Sequence, residues 1–118
     1  MPPLALCRSV GVTVYGGNDG IRDVWTPYAT PDMLDRAMHI GLRNALRRDD
    51  ELEWALECVT LSAAKGCGFA EYGLEPGCRA DVVLLEAETV AEAIVAHPAR
   101  ALVISSGRIV ARDGAFAI

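Results

Sequence analysis

The five residues Val12-Thr13-Val14-Tyr15-Gly16 constrain this chain more than any others. They are β-branched or aromatic with scarcely a polar break, the pattern of a parallel strand buried on both faces rather than of an edge strand showing alternate residues to water. A parallel strand needs parallel neighbours, each reached by a crossover of a dozen or more residues. Upstream there is room only for the end of an amphipathic helix, PPLALCRSVG, with Leu4, Leu6 and Val10 apolar and Gly11 as its stop. The strand therefore pairs with the tail or with polypeptide outside these residues. We favour the second arrangement, in which the chain is a piece of a larger protein.

After the strand, GNDGIRDVWTPYATPD supplies glycines, two prolines, a tryptophan and a tyrosine, which predicts a long functional loop. At Asp32 the period becomes helical. Asp32 is placed to cap MLDRAMHIGLRNALRR, with Leu34, Met38, Gly41, Leu42 and Ala45 or Leu46 on one face. Asp49 or Asp50 then caps ELEWALECVT, with Leu52, Leu56 and Val59 inward. Thr60 caps LSAAKGCG, which ends at Gly66 or Gly68. Beyond the Pro-Gly turn of YGLEPGC, ADVVLLEA predicts a strand and TVAEAIVAHP a short helix stopped by Pro98. ALVISSGRIVARDG predicts a hairpin turning at Ser106-Gly107.

Charge narrows the function. Eleven basic against sixteen acidic residues give a net charge of −5, and the only adjacent basic pair is Arg47-Arg48, so a nucleic-acid partner is not expected. Cys7, Cys58, Cys67 and Cys78 are widely spaced, without a C-x-x-C. They are expected to be reduced and mostly buried, as in a cytoplasmic protein. No run reaches the roughly 18 apolar residues of a membrane span, and MPPLALCRSV lacks the basic start and length of a signal peptide, so no membrane partner is expected.

GVTVYGGNDGIRDVWTPYATPDMLDRA, then helices, then YGLEPGCRADVVLLEAET and LVISSGRIVARDG, resemble the C-terminal part of the metal-dependent amidohydrolase superfamily, with cytosine deaminase-like enzymes the nearest likeness. Three separated elements carry the resemblance in the family's order: a strand ending in G-x-D, the tail strand G-x-x-x-G-x-x-A-D-x-V-x-L, and the closing hairpin with G-R-x-V. The implied fold class is α/β, the C-terminal fragment of a (β/α)8 barrel with part of a small β-sandwich. Residues 1–72 would hold the last barrel strand, the active-site loop and the following helices, and residues 73–118 the C-terminal part of the sandwich. Active sites of such barrels lie at the C-terminal ends of the strands, where Asp19 falls. The family's motif puts a metal-binding aspartate there.

The resemblance implies that Asp19 is both metal ligand and catalytic acid/base group. A divalent cation, zinc or iron, lowers the pKa of a bound water from about 16 toward about 7, and an ionised carboxylate beside it relays the proton to departing ammonia. Asn18 and Trp25 are the candidate substrate-binding residues, Trp25 offering a flat apolar face to a heterocycle. Read locally, Asp19 could instead form an Asx turn, Asn18 could simply favour the turn, and Trp25 could be loop packing. Asp23 and Arg22 read as loop or surface charges, and His39 and His97 as ordinary helix or surface residues.

The sequence departs from the family in two ways. The H-x-H pair and the later histidines have no counterparts among two histidines, so the fragment alone is expected to be inactive and to hold no metal. Asn18 and Gly20 replace the histidine and second acid that flank the aspartate in cytosine deaminases, which weakens cytosine as the substrate. The reading is part of a hydrolase that deaminates a cytosine-like or related heterocycle. Its alternatives are a cyclic amide or N-acyl C–N hydrolase, and a non-catalytic structural or interaction module. The expected partners are a small-molecule substrate and further copies, through self-association of the fragment or a homo-oligomer of the parent.

Overall fold

In a computed structural model, which describes residues 2–25 and 27–117, the chain forms five helices and a four-stranded sheet. The order is α1 (Leu4–Ser9), α2 (Met33–Arg43), α3 (Asp49–Val59), α4 (Leu61–Gly66), β1 (Val82–Leu85), α5 (Val90–Ala96), β2 (Arg100–Ser105), β3 (Arg108–Arg112) and β4 (Ala115–Phe116). The core lies among the helices: Leu4, Leu34, Ala37, Ile40, Ala55, Cys58, Val59, Ala93 and Ile94 form one buried cluster. Each of α2, α3 and α5 contributes a buried alanine to it, Ala37, Ala55 and Ala93. Leu52, Leu56 and Met38 fill the rim of this cluster, as the periodicity predicts.

Three helix details differ from the sequence reading. α2 stops at Arg43 rather than running on through Arg48, because Ala45 takes a left-handed φ of 54° and turns the chain. Leu42, still within α2, is exposed rather than inward, while Leu46, beyond the turn, returns to the core rim. Thr60 stands at the α4 N-cap, but its hydroxyl donates back to the Leu56 carbonyl at 2.8 Å and leaves the cap unmade. Asp32 does cap α2, accepting from the Leu34 N–H at 2.9 Å. At α3 the N-cap is Arg48 rather than Asp49 or Asp50, which lie in the first turn, and the carboxylate of Glu51 reaches back to the N–H groups of Arg47 and Arg48, at 2.7 and 3.1 Å.

The sheet is an antiparallel meander in the order β1-β2-β3-β4. The β2–β3 turn falls at Ser106-Gly107, both with positive φ, as the hairpin reading requires. A second turn of the same kind, Asp113-Gly114, adds β4, which the sequence reading did not anticipate. Val83, Val103, Ala111 and Phe116 are successive cross-strand partners, so an apolar row crosses all four strands. Among the described residues no second sheet lies on it. Gly73 and Gly77 of the tail motif have φ of 153° and 101°, backbone that a side chain would strain.

The largest correction concerns residues 12–16. They join no ladder among the described residues, and Val12 and Tyr15 are exposed. The pattern is that of a buried parallel strand, yet parallel neighbours are what these residues lack. They lie instead on the helices: the Gly16 N–H donates to the Cys58 carbonyl of α3 at 3.0 Å, Ile40 of α2 sits against Gly16, and the Tyr15 ring lies against Gly66 of α4. The cysteines are free and only Cys58 is buried, its thiol pushed up by burial. Cys67 is exposed, contrary to the expectation for mostly buried thiols.

Candidate active-site segment

Gly16 is the last residue of the segment seated on the helices, and Gly17, Asn18 and Asp19 follow it into the loop. Asp19 is exposed, and among the described residues its carboxylate has no hydrogen-bond or ion-pair partner. It therefore makes no Asx turn there. The residue that does is Asp23, whose carboxylate accepts from the Trp25 N–H at 2.8 Å and folds over Gly20. A Cβ at Gly20 would stand 1.9 Å from an Asp23 carboxylate oxygen, so Gly20 is needed for that close approach.

Asn18 is half-buried and its amide is engaged at both ends. Its Nδ2 donates to the Thr30 carbonyl at 3.0 Å and its Oδ1 accepts from Nη2 of Arg36 on α2. Trp25 is 89% exposed, its ring turned to solvent on the loop. His39 is exposed on α2, with Nδ1 2.8 Å from the Asp35 carbonyl oxygen, and His97 is the left-handed C-cap of α5. Neither stands in a ligand cluster: among the described residues no three of His, Cys, Asp and Glu come together as a metal site.

Sequence reasoning missed Arg36 and Arg100. Arg36 meets Asn18 across 18 positions. Arg100, on β2, meets the Asp32 carboxylate that caps α2 and also donates to the Pro98 carbonyl at 3.2 Å. The loop is thus bounded by a helix cap held from the sheet. No periodicity or spacing signal marks either arginine, because each pairing depends on the tertiary fold.

The chain is similar to several known proteins. The chain is 66% identical to an N-isopropylammelide isopropylaminohydrolase from Burkholderia multivorans ATCC 17616, whose crystal structure it matches with a TM-score of 0.95 over 99% of this chain and 30% of that one. It matches a 5-methylcytosine deaminase from Klebsiella pneumoniae, liganded with phosphonocytosine, at 25% identity and a TM-score of 0.83, over 95% of this chain and 28% of that one. Among curated proteins it is 32% identical over 114 residues to the N-isopropylammelide isopropyl amidohydrolase of Pseudomonas sp. (strain ADP), covering 96% of this chain and 28% of the relative. The chain thus spans less than a third of the length of these relatives. The model of the Amidohydrolase family matches residues 1–111, and the chain belongs to that family.

Proposed function

We propose that this chain forms one wall of the active site of an enzyme that hydrolyses an exocyclic C–N bond on a nitrogen heterocycle of the N-isopropylammelide class, releasing an alkylamine. The observation that carries the reading is the 66% identity to the Burkholderia isopropylaminohydrolase across 99% of this chain, with a TM-score of 0.95. In the proposed architecture, residues 12–16 become the last strand of a (β/α)8 barrel completed by the rest of the enzyme. Residues 1–72 belong to the barrel and residues 73–118 to a small β-sandwich, whose other sheet covers the row Val83, Val103, Ala111 and Phe116.

Asp19 then sits at the C-terminal end of that strand, where barrel enzymes keep their chemistry. With no three-residue cluster of metal-binding side chains among the described residues, this chain offers one ligand, Asp19, to a zinc or iron ion whose other donors come from the remainder of the enzyme. Such an ion lowers the pKa of bound water to about 7. The Asp19 carboxylate takes the proton from water as its oxygen adds to the ring carbon, and passes it to the amine nitrogen as the C–N bond breaks. The ring keeps the oxygen and the amine leaves neutral. Trp25 lays its indole along the heterocycle. Asn18 has one amide N–H beyond the bond to Thr30, and it is directed to the substrate.

A second reading, release of ammonia from a cytosine-like ring, draws on the likeness to the 5-methylcytosine deaminase. One experiment separates the two: the complete enzyme is assayed for isopropylamine release from N-isopropylammelide and for ammonia release from cytosine. Preference for N-isopropylammelide is expected, and turnover of cytosine alone would overturn the proposal. Asp19→Ala in the complete enzyme is expected to lower turnover by about 100-fold or more and to reduce bound metal. Unchanged metal content in that variant would remove Asp19 from the ligand set.

A further inference from the structure

Asn18 lies between two partners of opposite character. The Arg36 guanidinium can only donate and the Thr30 carbonyl can only accept, so together they fix which end of the amide faces which. Thr30 lies twelve positions after Asn18, and the loop between them holds Asp19 and Trp25. The Thr30 hydroxyl in turn accepts from the Asp32 N–H at 3.3 Å, just ahead of the α2 cap. Both ends of the loop are therefore tied to the first turn of one helix. The Arg36 Nε is buried without a partner among the described residues. A buried donor left unmatched is a cost, and the charged bond made at the other end of the guanidinium offsets it.

We propose that Arg36 is a positioning residue: through Asn18 it clasps the two ends of the loop together and so fixes the direction in which Asp19 and the second Asn18 N–H face the substrate. This rests on the proposed role of Asp19. The clasp also accounts for an amide at position 18. A carboxylate there would keep Arg36 but set an oxygen against the Thr30 carbonyl, and an apolar side chain would lose both partners.

The test uses the complete enzyme with N-isopropylammelide as substrate, comparing Arg36→Met, which keeps the aliphatic stem, with Arg36→Lys, Asn18→Ala and the Arg36→Met/Asn18→Ala double variant. Amide hydrogen exchange over residues 19–31 is expected to quicken by about tenfold in Arg36→Met and Asn18→Ala. Turnover is expected to fall by about tenfold or more in both, with KM held within about threefold for Arg36→Met. Arg36→Lys is expected to recover part of each effect. The double variant is expected to be no worse than the poorer single one, because both remove the same clasp. Unchanged loop exchange in folded Arg36→Met, or additive losses in the double variant, would overturn the proposal. Should Arg36→Met fail to fold, Asn18→Ala reports on the same loop. Exchange is read without turnover, so a wrong assignment of Asp19, seen as wild-type activity in Asp19→Ala, is told apart from a wrong assignment of the clasp.

Discussion

Asp81 is part of the tail motif, yet its spacing says nothing of its role. Its carboxylate accepts from the Ser106 N–H at 2.7 Å, across 25 positions, and pairs with Arg79. The Ser106 N–H first, then Arg79, holds the Asp81 carboxyl below the ordinary carboxylate range. The N–H groups of Arg47 and Arg48 do the same for Glu51. A carboxyl whose pKa is lower folded than unfolded contributes stability that is present above the unfolded value and lost as pH falls through the folded one. The hairpin turn and the α3 N-terminus are therefore expected to loosen below about pH 4. Comparing amide exchange at residues 105–108 at pH 6 and pH 3 checks this: after correction for intrinsic rates, Asp81→Asn should differ from wild type at pH 6 and converge with it at pH 3. Gly77 makes a second case. Its φ of 101° disfavours any side chain, so Gly77→Ala is expected to cost about 1–3 kcal/mol in denaturant titration.

Among the elements, what can be read from sequence is what local bonds decide. The Asp32 cap was legible because its acceptor meets an N–H two residues on. Its second partner, Arg100, is 68 positions away and left no trace. Asp32→Ala removes both bonds and is expected to cost about 1–2 kcal/mol, while Arg100→Ala leaves the cap intact and costs less. A double-mutant cycle by chemical denaturation measures their coupling, and a value near zero would make the pair incidental. The hairpins follow the same logic. Ser106-Gly107 was legible from composition, whereas Asp113-Gly114 was passed over because only two residues, Ala115 and Phe116, form the strand beyond it. Since Ser106 has φ of 50°, Ser106→Asn is expected to stabilise the turn by roughly 0.5 kcal/mol, seen as a raised melting temperature.

At the scale of the whole molecule, the radius of gyration of 14.9 Å exceeds the roughly 13.5 Å expected of a compact chain of this length. Val12, Tyr15, Val24, Trp25, Tyr28, Leu74 and Phe116 are among the large hydrophobics left exposed. The 118 residues expressed alone are therefore expected to self-associate with rising concentration in sedimentation velocity, and a monomer with one cooperative melt would refute this. Residues 12–16, which join no ladder among the described residues, fit the same account: in the proposed architecture the strand partners that their composition calls for belong to the rest of the enzyme. Asp19 is a candidate through its place after that segment, whereas Arg36 left no signal, since only folding brings α2 beneath the loop. One joint matters for anyone exchanging parts between relatives. α5 lies between β1 and β2 in sequence, yet its Ala93 and Ile94 are buried with Leu34 and Ala55. A tail transplanted from another member of the family would bring a piece of foreign helical core with it, and the graft would have to be repacked beneath the loop as well as spliced beyond it.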